Sequence, residues 1–187
     1  LIRRFLDGVE RGTRLDVPGL GVKVQNLENT LQRKRLRMAP EQSGVLVISI
    51  EYGTSAHGHL EVGDVLLEID GLPISNNGTV RYRDRFRTQW SVVLGQTYVG
   101  DTLALKILRA GQVSEVEIEL RELCQLVPRN RYVRVPTYFV YGGMVFQRLT
   151  RDFLRTWRRW WNEAPTEFLH YYYAGLGTEE RQEIVIL

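Results

Sequence analysis

The chain has 187 residues, of which 43% are hydrophobic and 25% are charged, a balance typical of a globular protein with a buried core. Its 25 Lys and Arg residues against 22 Asp and Glu residues leave a net charge of +3, too even a balance to indicate nucleic-acid binding from charge alone. No run approaches the roughly 18 apolar residues of a membrane span, and the single cysteine excludes an internal disulfide and argues against a zinc–thiolate site.

The first third of the chain predicts a helix end, a loop, a strand and a short helix. Residues 2–6 fit the last turn of a helix that ends near Gly8. Pro18-Gly19-Leu20-Gly21 predicts a turn-rich loop that leads into a strand over 22–27. Asn29 can cap a short helix that runs to Met38, because its side chain can accept hydrogen bonds from the first free amides.

Two apolar runs with a polar, glycine-bearing connection form the most informative stretch of the chain. The runs over 45–50 and 65–69 are rich in β-branched residues and show the alternation of half-buried strands. Gly63 and Gly71 stand where the chain must turn before and after the second run, which suits a residue that tolerates positive φ. The stretch therefore predicts two partly buried strands.

The following segment predicts a helix and then a hairpin. Residues 79–83 are extended, and Asp84 can cap a helix over 85–94 that ends at a glycine. The apolar residues of this helix at i, i+4, i+7 and i+8 share one face: Phe86, Trp90, Val93 and Leu94. Alternating runs over 103–109 and 113–120 flank a glycine-containing turn and predict a β-hairpin.

The last third begins with an extended basic linker, residues 128–135, bracketed by prolines. Its charge comes from Arg129, Arg131 and Arg134. Beyond it we predict strands over 138–140, 144–146 and 183–187, and a helix over 150–161. One face of that helix would carry Phe153, Leu154, Trp157, Trp160 and Trp161. Taken together, the elements predict a mainly β fold with helices.

The order of these motifs resembles the segment that follows the protease domain in the HtrA/Deg family of serine endopeptidases, closest to the organelle-type Deg branch of plants and some bacteria. The matches to the first PDZ domain of that family are Leu20-Gly21-Val22, Gly44-Val45-Leu46-Val47, Gly63-Asp64-Val65, Asn77-Gly78-Thr79-Val80 and Gly100-Asp101. Residues 136–150, which include Gly142-Gly143-Met144-Val145-Phe146, resemble the entry to the divergent second PDZ domain.

The resemblance implies a domain organisation as well as a fold. Residues 1–7 would be the end of a linker from an absent protease domain, and 8–127 the first PDZ domain. The basic linker at 128–135 would lead to an incomplete second PDZ-like domain at 136–187. Each PDZ domain is expected to be a partly open antiparallel β-barrel flanked by helices.

The function implied by the resemblance is non-catalytic. The chain would bind unfolded or C-terminal peptides for an ATP-independent protease of protein quality control, and support a trimer-based homo-oligomer in the full-length protein. No serine of the chain lies in a Gly-x-Ser-x-Gly setting, so we expect the catalytic serine before Leu1. We expect no cofactor and no metal. The compartment stays open, because plant relatives suggest an organelle and bacterial relatives the cytoplasm or periplasm.

A peptide site in such a module is built from main-chain groups. A ligand pairs with an exposed strand, here Val22, Lys23 and Val24, and its terminal carboxylate meets converging amides. The candidates for that loop are Gly19, Leu20, Gly21 and Val22, and the candidates for the opposite, helical wall are Phe86, Trp90 and Val93. Charge-assisted hydrogen bonds of about 1.5–3 kcal/mol each, set against an ordering cost of about 2–5 kcal/mol, predict micromolar or weaker binding.

Two alternatives to open peptide capture remain. The loop could be a plain turn and Trp90 a plain core residue. The groove could also be filled by the protein's own chain or by a neighbouring copy, which would make the segment an assembly module. An open apolar groove beside residues 19–22 favours capture, and an occupied groove favours assembly.

Other constellations of reactive side chains are better explained by structure than by chemistry. His57 and His59 are close in sequence but lack further ligands, so we interpret them as solvent-exposed loop residues. Asp64 and Asp70 flank a strand and are expected to bond local backbone rather than act as an acid pair. Ser55 lacks an orienting acid. Cys124 follows an apolar strand, which favours a buried thiol over a reactive one.

Arginines alternate with aromatic residues over 155–161, with three tyrosines at 171–173. This pattern is also typical of single-strand nucleic-acid platforms and of membrane-surface helices. Helical spacing separates the two residue types, however, so we favour a packed helix with a solvated basic face. An assembly face is also open, and its candidates are Trp157, Trp160 and Trp161.

Overall fold

An antiparallel sheet organises the first two thirds of the chain. The computed structural model describes residues 2–10, 12, 18–83, 85–123, 125–129 and 135–187. They fall into two units, Leu1–Leu123 (unit 1) and Cys124–Leu187 (unit 2). Asp84, Cys124 and positions 130–134 of the expected linker lie outside the described residues, so the division at 128–135 stays a prediction. In the described part, no helix has the length and apolarity needed to cross a membrane.

Unit 1 begins with helix α1, Ile2–Glu10, two residues longer than expected. The strands of its main sheet are β1 Val22–Asn26, β2 Val45–Ile50, β3 Val65–Ile69, β4 Leu72–Pro73, β7 Thr102–Arg109 and β8 Gln112–Glu119. They lie in the order β1-β2-β3-β7-β8, and β4 pairs with β3. All pairings are antiparallel, so the predicted strands are confirmed. The sheet is open and not closed into a barrel.

The short helix after β1 is also confirmed, but it ends earlier than expected. Helix α2 covers Thr30–Arg35, and the Asn29 carboxamide oxygen accepts from the N–H of Leu31 at 2.9 Å. Arg37 has φ of 59°, a left-handed conformation that no helix can continue through. That residue explains why the helix does not reach Met38.

The predicted helix over 85–94 is wrong. Strand β5, Thr79–Tyr82, pairs with strand β6, Phe86–Gln89, in a separate two-stranded ribbon. Two 3-10 turns follow, at Trp90–Val92 and Leu94–Gln96. The helix prediction failed because burial of Trp90, Val93 and Leu94 at these turns gives the same apolar spacing as one face of a helix. The residues before Trp90 alternate as in a strand.

The core of unit 1 lies where the sheet, the loop before β1 and the 3-10 turns meet. Its fully buried members include Leu20, Val45, Ile69, Leu105 and Ile118. Burial of each such side chain stabilises the fold by roughly 1.5–3 kcal/mol. A smaller cluster, Leu27, Met38, Val65, Leu67 and Leu108, covers the other side of β3 beside α2.

Unit 2 has a three-stranded antiparallel sheet of order β11-β10-β9. Its elements are β9 Tyr138–Tyr141, β10 Met144–Arg148, α3 Arg151–Leu154, α4 Trp160–Glu163, α5 Thr166–Tyr173 and β11 Val185–Ile186. The continuous helix predicted over 150–161 is wrong, because it is broken into α3 and α4. Arg159 has φ −112° and ψ 60°, outside the helical region, and its side chain binds Glu163 in the second helix at 2.9 Å.

Candidate functional site

The loop before β1, residues 18–21, is held in place by hydrogen bonds to its carbonyl groups. The Ser55 hydroxyl donates to the carbonyl of Gly19 at 2.8 Å, the Ala56 N–H donates to that of Leu20 at 3.0 Å, and the Glu51 N–H donates to that of Gly21 at 2.8 Å. Successive carbonyls of residues 19–21 are therefore all bonded to the segment 51–56. A loop fixed in this way can present its N–H groups elsewhere without losing its shape.

The N–H groups of the same loop are only partly used. Gly19 donates to the carbonyl of Arg121 at 3.4 Å, so its amide does not belong to the anion site predicted for residues 19–22. The amides of Leu20 and Gly21 have no hydrogen-bond partner among the residues described. Gly21 has φ of +76°, and a Cβ there would lie 2.2 Å from the side chain of Thr54. Only glycine fits this position.

Ser55 joins this loop to the segment that follows β8, the strand at the opposite edge of the main sheet from β1. Its hydroxyl also accepts from the N–H of Arg121 at 2.8 Å, and the residue is 2% exposed. Ser55 is thus a structural bridge between the loop and the end of β8, with no side-chain acid or base in its hydrogen bonds. The sequence holds no local signal for this role, because the partners are 36 and 66 residues away.

Among the residues that the structure describes, strand β1 is an edge strand of the main sheet, and its pairing shows which main-chain groups face outward. Val47, opposite Val24, uses its N–H and carbonyl for Asp64 and Gly63 at 2.8 and 2.9 Å on the β3 side. The pair Val24–Val47 is therefore of the non-hydrogen-bonded type, in which the groups of Val24 point away from β2.

The start of β1 has the same geometry. The Glu51 N–H bonds the carbonyl of Gly21, which is the bond that flanks a non-hydrogen-bonded pair between Val22 and Ile50. Val22 and Val24 are two residues apart on β1 and so have the same orientation, and the β-bulge between Lys23 and Val24 is taken up by Ile48 of β2, which has no partner in the register. The N–H and carbonyl of Val22 and of Val24 thus face the open edge, while their side chains pack on the core.

The residues expected to form the opposite wall divide into two groups. Trp90 and Val93 are 8% and 5% exposed and belong to the same core cluster as Leu20. Phe86 lies on the β5–β6 ribbon and is 61% exposed. Contact of these side chains with a ligand stays a prediction, now from 3-10 turns and a ribbon instead of a helix.

Two PDZ-domain models match this chain, one over residues 18–120 and the other over 127–187. The chain belongs to the PDZ-domain family. The first match contains the loop and the edge strand described above, and the second lies entirely within unit 2. We refer to these regions as the first and the second PDZ domain.

The PDZ domains of this chain are homologous to those of Do-like and HtrA proteases, as the sequence motifs indicated. In Arabidopsis thaliana, Protease Do-like 2, chloroplastic, is 34% identical over 82% of this chain and 25% of its own length. Putative protease Do-like 13 is 33% identical over 81% of this chain and 31% of its own length. This chain therefore spans less than a third of these relatives. A solved structure of HtrA-type protease AlgW with a tripeptide is 24% identical over 64% of this chain and 36% of its own, with a TM-score of 0.44.

A buried ion pair joins the start of β3 to the end of β7 in the first PDZ domain. Asp64 is 1% exposed, accepts from the N–H of Glu61 at 2.8 Å, and accepts from Nε and Nη2 of Arg109 at 2.8 and 2.7 Å. The hydrogen bond that Arg109 donates to Asp64 raises the pKa of Arg109, against a smaller opposing effect of desolvation. The bond to local backbone confirms the turn role expected for Asp64, and Arg109 is the partner that sequence reasoning missed.

The two loop histidines have structural surroundings. His57 packs edge-on against the Tyr52 ring at 4.6 Å, and the carbonyl of His59 accepts from Arg109 at 3.1 Å. Both are exposed, as expected. In the described part of the chain, no group of three or more His, Cys, Asp and Glu residues is placed to hold a metal ion.

The tryptophans of the second PDZ domain differ in burial. Trp157 and Trp160 pack partly buried against the core of unit 2, where Trp157 contacts Phe153 at 5.4 Å between ring centroids. The guanidinium of Arg151 lies 5.6 Å from the ring of Trp160, a cation–π contact. Trp161 is 56% exposed. An assembly face made of these residues stays a prediction.

Unit 2 also contains a cavity of about 430 Å³. Its lining residues are Pro136, Thr137, Gln147, Arg148, Thr150, Asp152, Phe153 and Thr156. Arg148 is paired with Glu183 at 3.3 Å, so part of the charge near the cavity is already compensated. None of the residues predicted as a site lines this cavity.

Proposed function

We propose that the first PDZ domain binds extended peptides with a free C-terminus by adding them as a strand to β1. The observation that carries the proposal is the orientation of main-chain groups: Val22 and Val24 direct their N–H and carbonyl groups to the open edge, and the amides of Leu20 and Gly21 are without a partner in the described chain. Consecutive N–H groups without partners, next to an edge strand, fit a terminal carboxylate followed by a β-strand.

A peptide with a free apolar C-terminus should bind more tightly than the same peptide with a terminal amide. One or two charge-assisted hydrogen bonds of about 1.5–3 kcal/mol each predict a loss of at least about tenfold in affinity. Isothermal titration calorimetry on the whole chain measures the difference. Equal affinities for the two peptides would remove the carboxylate from the proposal.

Strand addition has a second signature that leaves the protein unchanged. Only every second peptide N–H faces β1 in an antiparallel pair. N-methylation should therefore abolish binding at one set of alternate peptide positions and be tolerated at the other set. The amide NMR signals of Leu20, Gly21, Val22 and Val24 should shift in the same titration. Equal losses at all positions would contradict strand addition.

We further propose that the chain serves as the substrate-recognition part of a Do-like serine protease in protein quality control, without a catalytic residue of its own. The homology to Do-like proteases supports this role. The test is cleavage of an unfolded client by the whole protease with and without this segment. Unchanged cleavage, together with retained peptide binding by the segment, would separate peptide binding from recognition of clients.

An assembly role in the second PDZ domain is favoured by its exposed apolar surface. Tyr138, Phe139, Val140 and Tyr141 on β9 are all more than half exposed, and so is Trp161. Exposed aromatic patches of this kind are enriched at protein interfaces. Sedimentation equilibrium of the whole chain should show self-association that Tyr138→Ser/Tyr141→Ser weakens. A monomer at all concentrations would count against the assembly role.

A further inference from the structure

The β5–β6 ribbon carries a concentration of arginine. Arg81 and Arg87 are directly opposite each other across the ribbon, and Arg83 and Arg85 flank its tip; all of them are exposed. Arg83, Arg85 and Arg87 form no ion pair with a described residue. The guanidinium groups of these three residues can donate hydrogen bonds to the carboxylates of a ligand.

The base of this ribbon lies at the end of β1. A Cβ built on Gly78 would be 3.7 Å from Oδ1 of Asn26, the last residue of β1. The Leu27 N–H donates to the carbonyl of Asn76 at 2.8 Å, and the Trp90 N–H donates to that of Gly78 at 3.0 Å. The ribbon therefore begins where the edge strand ends, at the opposite end from the loop of residues 19–21.

Helix α2 adds further positive charge at the same end. Nη1 of Arg33 donates to the carbonyl of Leu27 at 2.6 Å, so the helix is tied to the residue after β1. Lys34 and Arg35 follow and are exposed. Residues 26–35 and 79–89 together contain seven Arg and Lys residues and two carboxylates, Glu28 and Asp84. The end of the edge strand at Asn26 is therefore strongly basic.

The direction of a bound peptide connects these observations. A ligand that pairs antiparallel with β1 and has its C-terminus at Leu20–Val22 must run toward Asn26 as it is followed upstream. Strand β1 has five residues, so peptide residues beyond about the fifth from the C-terminus extend past Asn26, where the base of the ribbon and helix α2 are both attached. We infer that this domain selects peptides whose segment upstream of the paired residues is acidic. The inference rests on the proposed peptide binding and names its substrate class.

The test uses three peptides with the same apolar C-terminus and free carboxylate. Their upstream residues, from about the sixth to the ninth from the C-terminus, are all Glu, all Gln or all Lys. Because an exposed ion pair changes affinity by about 1.4- to 5-fold, we expect the Glu peptide to bind on the order of tenfold tighter than the Gln peptide at low salt. The Lys peptide should bind most weakly. At about 1 M salt the difference should nearly vanish, since the screening length falls to about 3 Å.

Charge reversal in the protein provides the matched comparison. Arg85→Glu/Arg87→Glu should remove the preference for the Glu peptide and leave binding of the Gln peptide within about twofold. Arg155→Glu/Arg158→Glu makes the same change of net charge on exposed residues of unit 2 and should keep the preference. Loss of the preference in both variants would assign it to net charge and overturn the inference. Retention of the preference in the first variant would overturn it as well.

The remaining outcomes distinguish the acidic preference from the proposed peptide binding on which it rests. If the amidated peptide binds poorly but the Glu and Gln peptides bind alike, peptide capture stands and the acidic preference is refuted. If no peptide binds, both are refuted. A single-stranded oligothymidylate that binds more tightly than the Glu peptide, and loses binding in Arg85→Glu/Arg87→Glu, would assign the ribbon to nucleic acid and overturn the inference.

Discussion

Removal of the Asp64 carboxylate should be among the most costly single substitutions in the first PDZ domain. Asp64 is 1% exposed and accepts one hydrogen bond from backbone and two from Arg109. In Asp64→Ala the backbone N–H of Glu61 loses its partner, at a cost of about 1 kcal/mol. The bonds from a charged donor would add about 1.5–3 kcal/mol each, but the Arg109 side chain is 37% exposed, so water recovers part of them. The expected loss in free energy of unfolding is about 3 kcal/mol.

Urea denaturation can isolate this effect in the first domain. Trp90 is the tryptophan of unit 1, whereas Trp157, Trp160 and Trp161 lie in unit 2, so the indole N–H signal of Trp90 reports unfolding of unit 1 by NMR. The control is Glu61→Ala, which removes a pair with Arg109 at 2.9 Å from a side chain that is 70% exposed. An exposed pair contributes about 0.2–1 kcal/mol. Equal losses in the two variants would refute the argument from burial.

Comparison of the unaltered protein with Asp64→Ala also tests a pH dependence. Asp64 raises the pKa of Arg109, chiefly through the hydrogen bond between the two side chains. A raised pKa of a basic group stabilises the fold fully below the unfolded-state pKa, and that contribution is lost only as pH rises through the folded-state pKa. For arginine both lie in strong alkali. The difference in unfolding free energy due to this protonation should therefore be flat from about pH 7 to 9, and a decline within that window would contradict the assignment.

Three further substitutions test the loop and the helix cap. Ser55→Ala leaves the Gly19 carbonyl and the Arg121 N–H without their bonds, so we expect about 2 kcal/mol lower stability by urea denaturation and weaker binding of the free-carboxylate peptide. Gly21→Ala, at φ +76° and 2.2 Å from Thr54, should weaken peptide binding far more than Gly53→Ala, at φ +73° with nothing within 4 Å; equal effects in calorimetry would show that strain alone matters. Asn29→Ala should cost about 1 kcal/mol as a lost helix cap, and an unchanged urea midpoint would argue against the cap.

Local patterns carried enough information for the strands. The runs at 45–50 and 65–69 have the predicted bounds, because alternation and β-branched side chains are properties of neighbouring residues. The cap at Asn29 was predictable for the same reason, since its partners are the next residues along the chain. The PDZ resemblance likewise came from short motifs in a fixed order, and the family match confirms it.

The failures occur where one local pattern fits two structures. Phe86, Trp90, Val93 and Leu94 satisfy a helical period, yet Phe86 pairs with Tyr82 across a ribbon. The other three are buried at two 3-10 turns, with Val93 between them. Pairing of β5 with β6 gives the backbone of this segment cross-strand partners, while Trp90, Val93 and Leu94 still reach the core and Phe86 stays exposed. Periodicity alone does not distinguish these outcomes.

By itself, the order of residues determined the strands, the glycine-bearing turns and the PDZ family, since each depends on side chains a few positions apart. Tertiary structure alone decided how the loop at 19–21 is held and which groups of β1 remain open. Ser55, Arg121 and Arg109 act on partners 36 to 66 residues away, and the direction of each main-chain group in β1 follows from its pairing with β2. Such relations arise only when distant segments are brought together, because hydrogen bonds are specified by position in space and not by spacing along the chain.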